Sequence, residues 1–144
     1  MTATGLRLRL LDKLRLTVDG EAVSLPQSMI YQGMMISDVP NMAFTVGYTN
    51  ASWTLKADLT AEYVCRLLRH MDDIDGNTVI PVLPAGGIEE EPMLDFTSGY
   101  VQRAMDRFPK QGQDKPWRMY QNYFLDLLSL RLSRLTGNAL KFRP

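Results

Sequence analysis

Met42-Ala43-Phe44-Thr45-Val46-Gly47-Tyr48-Thr49-Asn50-Ala51-Ser52-Trp53-Thr54-Leu55 contains no charged residue. Its first five residues read as a strand, bounded by Pro40-Asn41 and by Gly47, and the absence of charge places that strand in the interior. Thr49, Asn50 and Ser52 are each competent to cap a helix. The stretch therefore reads as strand, tight turn and helix start. The first amides of a helix lack intrahelical acceptors, and the macrodipole puts partial positive charge beside them. Such a junction accepts an anion or a polarised carbonyl. It is also an ordinary way to begin a helix with nothing bound, and the pattern alone leaves both readings open.

Working outward, residues 22–55 form a segment of 34 in which only Asp38 is charged, although charged residues make up 22% of the chain. Pro26, Pro40 and frequent Ser, Thr, Asn and Gln residues exclude a membrane span. A free surface would carry Lys and Glu. A neutral, polar segment suits a wall against a large, partly apolar ligand or against more protein. Upstream, Leu6, Leu8 and Leu10 alternate with Arg7 and Arg9 as in a short strand. Asp19-Gly20 between residues 14–18 and 21–25 signals a hairpin, because a type I′ turn needs positive φ at both central positions. Residues 29–31 read as another strand.

Downstream, Leu59, Tyr63, Val64, Leu67, Leu68 and Met71 make an apolar stripe at helical spacing. Glu62 and Arg66 on the other face are spaced for an ion pair. The helix is expected over residues 51–71, ending before Asp72-Asp73-Ile74-Asp75-Gly76-Asn77. A strand is expected at 78–83, a solvated loop at 84–92 and a short helix capped by Ser98 and running to Met105. A second loop, at 108–116, leads to a final helix at 118–135. Tyr120, Tyr123, Phe124, Leu127, Leu128, Leu130, Leu132 and Leu135 surround most of that helix, so it should be buried on more than one side. Residues 139–142 read as a terminal strand or tail.

The 144 residues suffice for one domain or a piece of a larger protein. Sixteen basic and sixteen acidic residues leave no net charge to favour nucleic acid or an anionic membrane. The single Cys65 excludes an internal disulfide and fits a cytoplasmic protein. The first residues lack the apolar core of a secretory signal. Cys65 reads as a buried structural thiol, and the lone His70 as a surface or C-terminal cap residue. No dinucleotide, Walker or nucleophile-elbow motif occurs. No catalytic or metal-ligating constellation can be assembled, so both sets are empty.

One resemblance is specific. The string at 46–59, Val46-Gly47-Tyr48-Thr49-Asn50-Ala51-Ser52-Trp53-Thr54-Leu55-Lys56-Ala57-Asp58-Leu59, resembles the C-terminal part of class B flavoprotein monooxygenases. This is the flavin-containing and Baeyer–Villiger monooxygenase group, and the likeness is to its ethionamide-activating monooxygenase type. Thr2-Ala3-Thr4-Gly5-Leu6 is similar to the family's ATG motif. Residues 31–41 resemble the approach to the last strand of the FAD domain, and Pro116-Trp117-Arg118 with Gln121-Asn122-Tyr123 resembles the C-terminal element. The Gly-rich loops for FAD and NADPH that relatives carry upstream, and their fingerprint motif, are absent.

The resemblance implies a C-terminal portion of an FAD- and NADPH-dependent monooxygenase performing Baeyer–Villiger or heteroatom oxygenation on a small ketone, sulfur or nitrogen compound. Its partner would be the missing N-terminal FAD/NADPH-binding part. Alone, the chain is expected to be inactive, to hold no FAD tightly, and to form homo-oligomers or aggregate. Thr49, Asn50, Ala51 and Ser52 would contact the cofactor, with Thr4 and Gly5 at the re-entry into the FAD domain. Tyr48 and Trp53 would line the substrate cavity. Residues 1–73 would end the FAD domain and 74–144 would form a C-terminal extension. The alternative is a non-catalytic, self-associating module derived from that fold. The fold class expected in isolation is α+β: a small antiparallel-leaning sheet from residues 6–46, one long helix and a helical C-terminal part. In the parent it would complete an α/β two-dinucleotide-domain fold.

Overall fold

The computed structural model describes Leu11, residues 14–94 and residues 103–144. Among the described residues it is a small α+β fold with two α-helices and four two-stranded antiparallel sheets. The expected strand at Leu6–Leu10, the ATG-like residues Thr4 and Gly5, and Ser98 lie outside them.

The Asp19-Gly20 hairpin forms, joining β1 (Thr17–Val18) to β2 (Glu21–Ala22). Both turn residues have positive φ, 52° and 88°, as the primed turn requires. A second hairpin was not foreseen. β3 (Ile30–Tyr31) returns as β4 (Met35–Ile36) through Gln32-Gly33-Met34. Gln32 and Gly33 both take positive φ. The Gln32 amide donates to Pro116 O at 2.7 Å, which fixes the loop from outside. A Cβ on Gly33 would stand 3.0 Å from the Met119 side chain.

The expected interior strand at 42–46 is not a strand. Phe44 N–H donates to Met34 O at 2.8 Å, but the segment joins no ladder and has no regular secondary structure. Pro40 and the positive φ of Asn41 turn the chain off β4 before pairing can propagate. Asn41 serves instead as a clamp. Its side-chain carbonyl accepts from Val79 N–H, and its amide donates to Asn77 O.

Helix α1 spans Trp53–Asp73, starting two residues later than expected. Leu59, Tyr63, Leu67 and Met71 bury its inner face, as the spacing predicts. Cys65 is exposed rather than buried, because Leu68, three residues on and on the same face, is itself 54% exposed. Glu62 and Arg66 do not pair with each other. Glu62 takes a two-point ion pair from Arg131, and Arg66 donates to the carbonyls of Leu130 and Ser133. His70 lies in the last turn with its ring edge-on to Phe142.

β5 (Thr78–Pro81) pairs with β8 (Leu140–Arg143), so the expected terminal strand is real. The two expected loops meet, β6 (Glu91–Pro92) pairing with β7 (Lys110–Gln111). The last helix, α2, spans only Tyr123–Leu132. Asn122 caps it, its side-chain oxygen accepting from Leu125 N–H at 3.1 Å. The expectation of burial on several sides fails. Asp126 and Leu130 face inward, whereas Phe124, Leu125, Leu128 and Leu132 are 73%, 51%, 58% and 77% exposed. Nor does the segment at 22–55 form an open wall. Met29, Ile30, Tyr31, Met34, Met35 and Ile36 are the buried centre of this chain's own core.

That core runs through both halves of the chain, joining Leu59 and Tyr63 to Val79, Trp117, Leu130 and Leu140. Within it the Tyr31 and Tyr63 hydroxyls bond at 3.0 Å, and Tyr31 meets Trp117 edge-on. Burial raises the pKa of both phenols, and the coulombic effect of Tyr63 raises that of Tyr31 further. Burial and then Asp126 raise Tyr48 likewise. The neutral forms are therefore favoured in the fold. The stability this contributes is whole below pH ~10, the unfolded phenol value, and is lost as pH rises through the folded values. Absorbance of tyrosinate during alkaline titration should show these three ionising together with loss of helical circular dichroism. Ionisation of all tyrosines with the helix signal intact would contradict this placement.

Candidate functional site

The junction at 47–55 is built from close contacts. Gly47 is buried beneath the Trp53 indole, and a Cβ there would fall 2.2 Å from the ring. Only glycine lets the helix begin so near the incoming chain. Trp53 remains 63% exposed, with Thr49, Asn50, Ala51, Ser52 and Thr54 exposed around it. Thr49 and Asn50 do not cap α1. Thr49 N–H and its hydroxyl both donate to the Gln121 side-chain carbonyl, at 3.0 and 3.1 Å. The Asn50 amide donates to Gln121 O at 3.2 Å. Ser52 occupies the cap position but bonds no helix amide, its hydroxyl pairing with Thr54 Oγ1 at 2.7 Å. The first turn of α1 thus presents backbone donors with no side-chain cap. The Gln121 amide nitrogen is buried with no partner among the described residues. This collection of unspent donors fits a group rich in acceptors, such as the carbonyl edge of an isoalloxazine or a phosphate.

Tyr48 points the other way. It is 2% exposed, and its hydroxyl donates to Asp126 Oδ2 at 3.0 Å. Its ring is part of the wall behind the junction, not of a surface cavity. The same carboxylate accepts from Lys56 Nζ at 2.7 Å and from Lys115 Nζ, through Oδ1, at 3.0 Å. Lys56 and Asp126 side chains are 1% and 0% exposed. Lys56 lies in the first turn of α1, where the helix dipole opposes a cation, and Asp126 in the first turn of α2, where it favours an anion. The ion pair therefore ties the two helix starts together directly behind the Thr49–Ser52 turn. Burial pushes the Lys115 ammonium below its usual range, Asp126 opposes that, and Lys56 adds to it.

Of the residues the sequence singled out, Thr49, Asn50, Ala51, Ser52 and Trp53 come together at one exposed turn. Lys56, Gln121, Lys115 and Asp126 were missed. A signal existed for two of them: Lys56 is in phase with Leu59, Tyr63 and Leu67, and Asp126 with Tyr123 and Leu130. A charge in the buried phase of each helix, opposite in sign, invites pairing. Among the described residues, no group of His, Cys, Asp and Glu could hold a metal ion, and no helix is long and apolar enough to cross a membrane.

No family model matches the chain, and no solved structure matches it. Several curated sequences do. The chain is 51% identical over 142 residues to the FAD-containing monooxygenase EthA of Mycobacterium tuberculosis. The relatives it matches are named as FAD-containing or FAD-binding monooxygenases. It is 49% identical to EthA of Mycolicibacterium smegmatis, and 43% identical over 143 residues to the probable FAD-binding monooxygenase AlmA of Acinetobacter baylyi. Each match covers 99% of this chain and 29% of the relative, in the relative's C-terminal part.

Two substitutions separate the parts of this site. Asp126→Ala leaves Lys56 buried without its partner and should cost about 3–5 kcal/mol, read as a fall in the urea midpoint. An unchanged midpoint would mean that the pair is solvated. Gly47→Ala should displace the Trp53 ring and cost about 1–3 kcal/mol, with a change in indole emission that a Trp53→Phe background abolishes.

Proposed function

We propose that this chain is the C-terminal portion of an FAD- and NADPH-dependent monooxygenase that carries out Baeyer–Villiger or heteroatom oxygenation of small ketones or of sulfur and nitrogen compounds. One observation carries the reading: 51% identity to EthA along nearly the whole chain. In the intact enzyme, FAD reduced by NADPH supplies the activation of O₂. This chain's own part is to place donors. The uncapped start of α1 at Ser52, the Thr49–Asn50 turn and the Gln121 amide would face the acceptor edge of the isoalloxazine and favour its anionic reduced form. Trp53 would cover the ring or the substrate. Thr4 and Gly5 would sit at the re-entry into the FAD domain. Residues 1–73 would close that domain and 74–144 extend it, with buried residues of both ranges meeting in one core. The organisation would be that of the α/β two-dinucleotide-domain fold, in the cytoplasm.

The test is a chimera in which this chain replaces the matching segment of the M. tuberculosis relative. The chimera should hold FAD stoichiometrically and oxidise NADPH, whereas the isolated chain, with a helix terminus contributing on the order of 1 kcal/mol, should purify colourless. A chimera that folds without flavin would favour a self-associating, non-catalytic module.

Asn50 gives a sharper test in that chimera. Both Asn50→Ala and Asn50→Asp lose the donor to Gln121 O, at about 1 kcal/mol. Only Asn50→Asp adds a negative charge beside the flavin, where two unit charges at ~5 Å repel by roughly 3 kcal/mol at an effective dielectric near 20. The two variants should melt together, while Asn50→Asp alone lowers the flavin reduction potential. Equal potentials would remove the turn from the flavin.

A further inference from the structure

A groove of about 1020 Å³ opens beside α2, and none of residues 47–55 lines it. One wall is the exposed stripe of α2, Leu125, Leu128 and Leu132, spaced three and four residues apart as on a helix made to be covered. Trp117, Tyr120 and Lys115 also line the groove. Lys115 Nζ bonds Asp126, lies 3.4 Å from the Gln32 side-chain oxygen, and stands 4.6 Å from the Tyr120 ring centroid. Behind it, one carboxylate serves two ammonium groups, of which Lys56 is fully enclosed. Among the described residues the cluster holds one positive charge more than it can neutralise, and Glu89, Asp114 and Arg134, which also line the groove, make no bond to it. Lys115, with 18% of its side chain exposed to the groove, carries that excess, and a largely desolvated charge is stabilised when a counter-charge meets it.

The groove is thus apolar along its length and cationic at its floor. An apolar face of this kind on a small protein marks an interface. The relatives are more than three times as long as this chain, which spans 29% of their length. We propose that the groove receives a segment of the rest of the parent monooxygenase, apolar on one side and carrying a carboxylate that completes the Lys56–Asp126–Lys115 cluster. The inference rests on the proposed function, because that reading supplies the additional chain. It names a contact that the flavin site does not require.

The chimera described above tests it with Leu128→Asp and with chemical acetylation of Lys115. In the isolated chain Leu128 is exposed, so Leu128→Asp should leave the melting temperature unchanged. In the FAD-loaded chimera it should lower the melting temperature by at least about 2 °C, with loss of bound FAD. Lys115 should acetylate several-fold more slowly in the FAD-loaded chimera than in the dilute isolated chain, read by peptide mass spectrometry. A chimera that holds FAD, tolerates Leu128→Asp and acetylates at the isolated-chain rate overturns the docking proposal alone. Destabilisation of the isolated chain by Leu128→Asp overturns it too, since a second copy would then cover the stripe. Sensitivity to Leu128→Asp without protection of Lys115 removes the carboxylate, and the proposal with it. A chimera that holds no FAD removes the proposed function and this inference together.

Discussion

The Asp126 carboxylate accepts hydrogen bonds from Lys56, Lys115 and Tyr48 at the point where both helices begin. Most other features follow from that arrangement. It sets α2 against the first turn of α1, so that Arg66 reaches the last carbonyls of α2 and Arg131 reaches Glu62. It holds Tyr48 inward, which swings Thr49 and Asn50 toward Gln121. It also decides which side of α2 is buried, leaving the other as an apolar stripe. A buried ion pair of this sort adds little net stability over apolar packing, but it is expensive to break. Its effect is therefore on geometry: alternative dockings of the two helices would strand Lys56 or Asp126 without a counter-charge.

The unspent donors of the candidate site have the same origin. A helix start normally recruits Ser, Thr or Asn to its first amides. Three such residues precede α1, yet none caps it. Thr49 and Asn50 are committed to Gln121, and Ser52 to Thr54. An isolated domain selected only for stability would gain about 1 kcal/mol by spending one of them on the helix. Their diversion leaves the first amides of α1 without a side-chain acceptor.

Local pattern made much of the fold legible. Asp19-Gly20, the stripe from Leu59 to Met71 and the terminal strand are short-range signals, and each formed. The strand expected at 42–46 failed because absence of charge reports burial, not pairing, and Asn41 turns the chain away from the ladder. The Gln32–Met34 hairpin was hidden because only Gly33 in it is a turn residue by composition. Its conformation is imposed by Pro116, far along the chain. The burial expected around α2 was misjudged because a helix apolar on both sides does not say what covers the second side.

The sequence by itself determined the Asp19-Gly20 hairpin, the stripe of α1, the neutral junction at residues 46–55 and its likeness to flavin monooxygenases, because these are properties of neighbouring residues. Only the tertiary structure decided that Lys56 meets Asp126, that Gln121 clamps the junction, and that the stripe of α2 faces outward. Each of those joins residues about seventy positions apart or depends on a surface contributed by another element. Side-chain chemistry names the partners that a buried charge will accept, but chain topology chooses which one arrives.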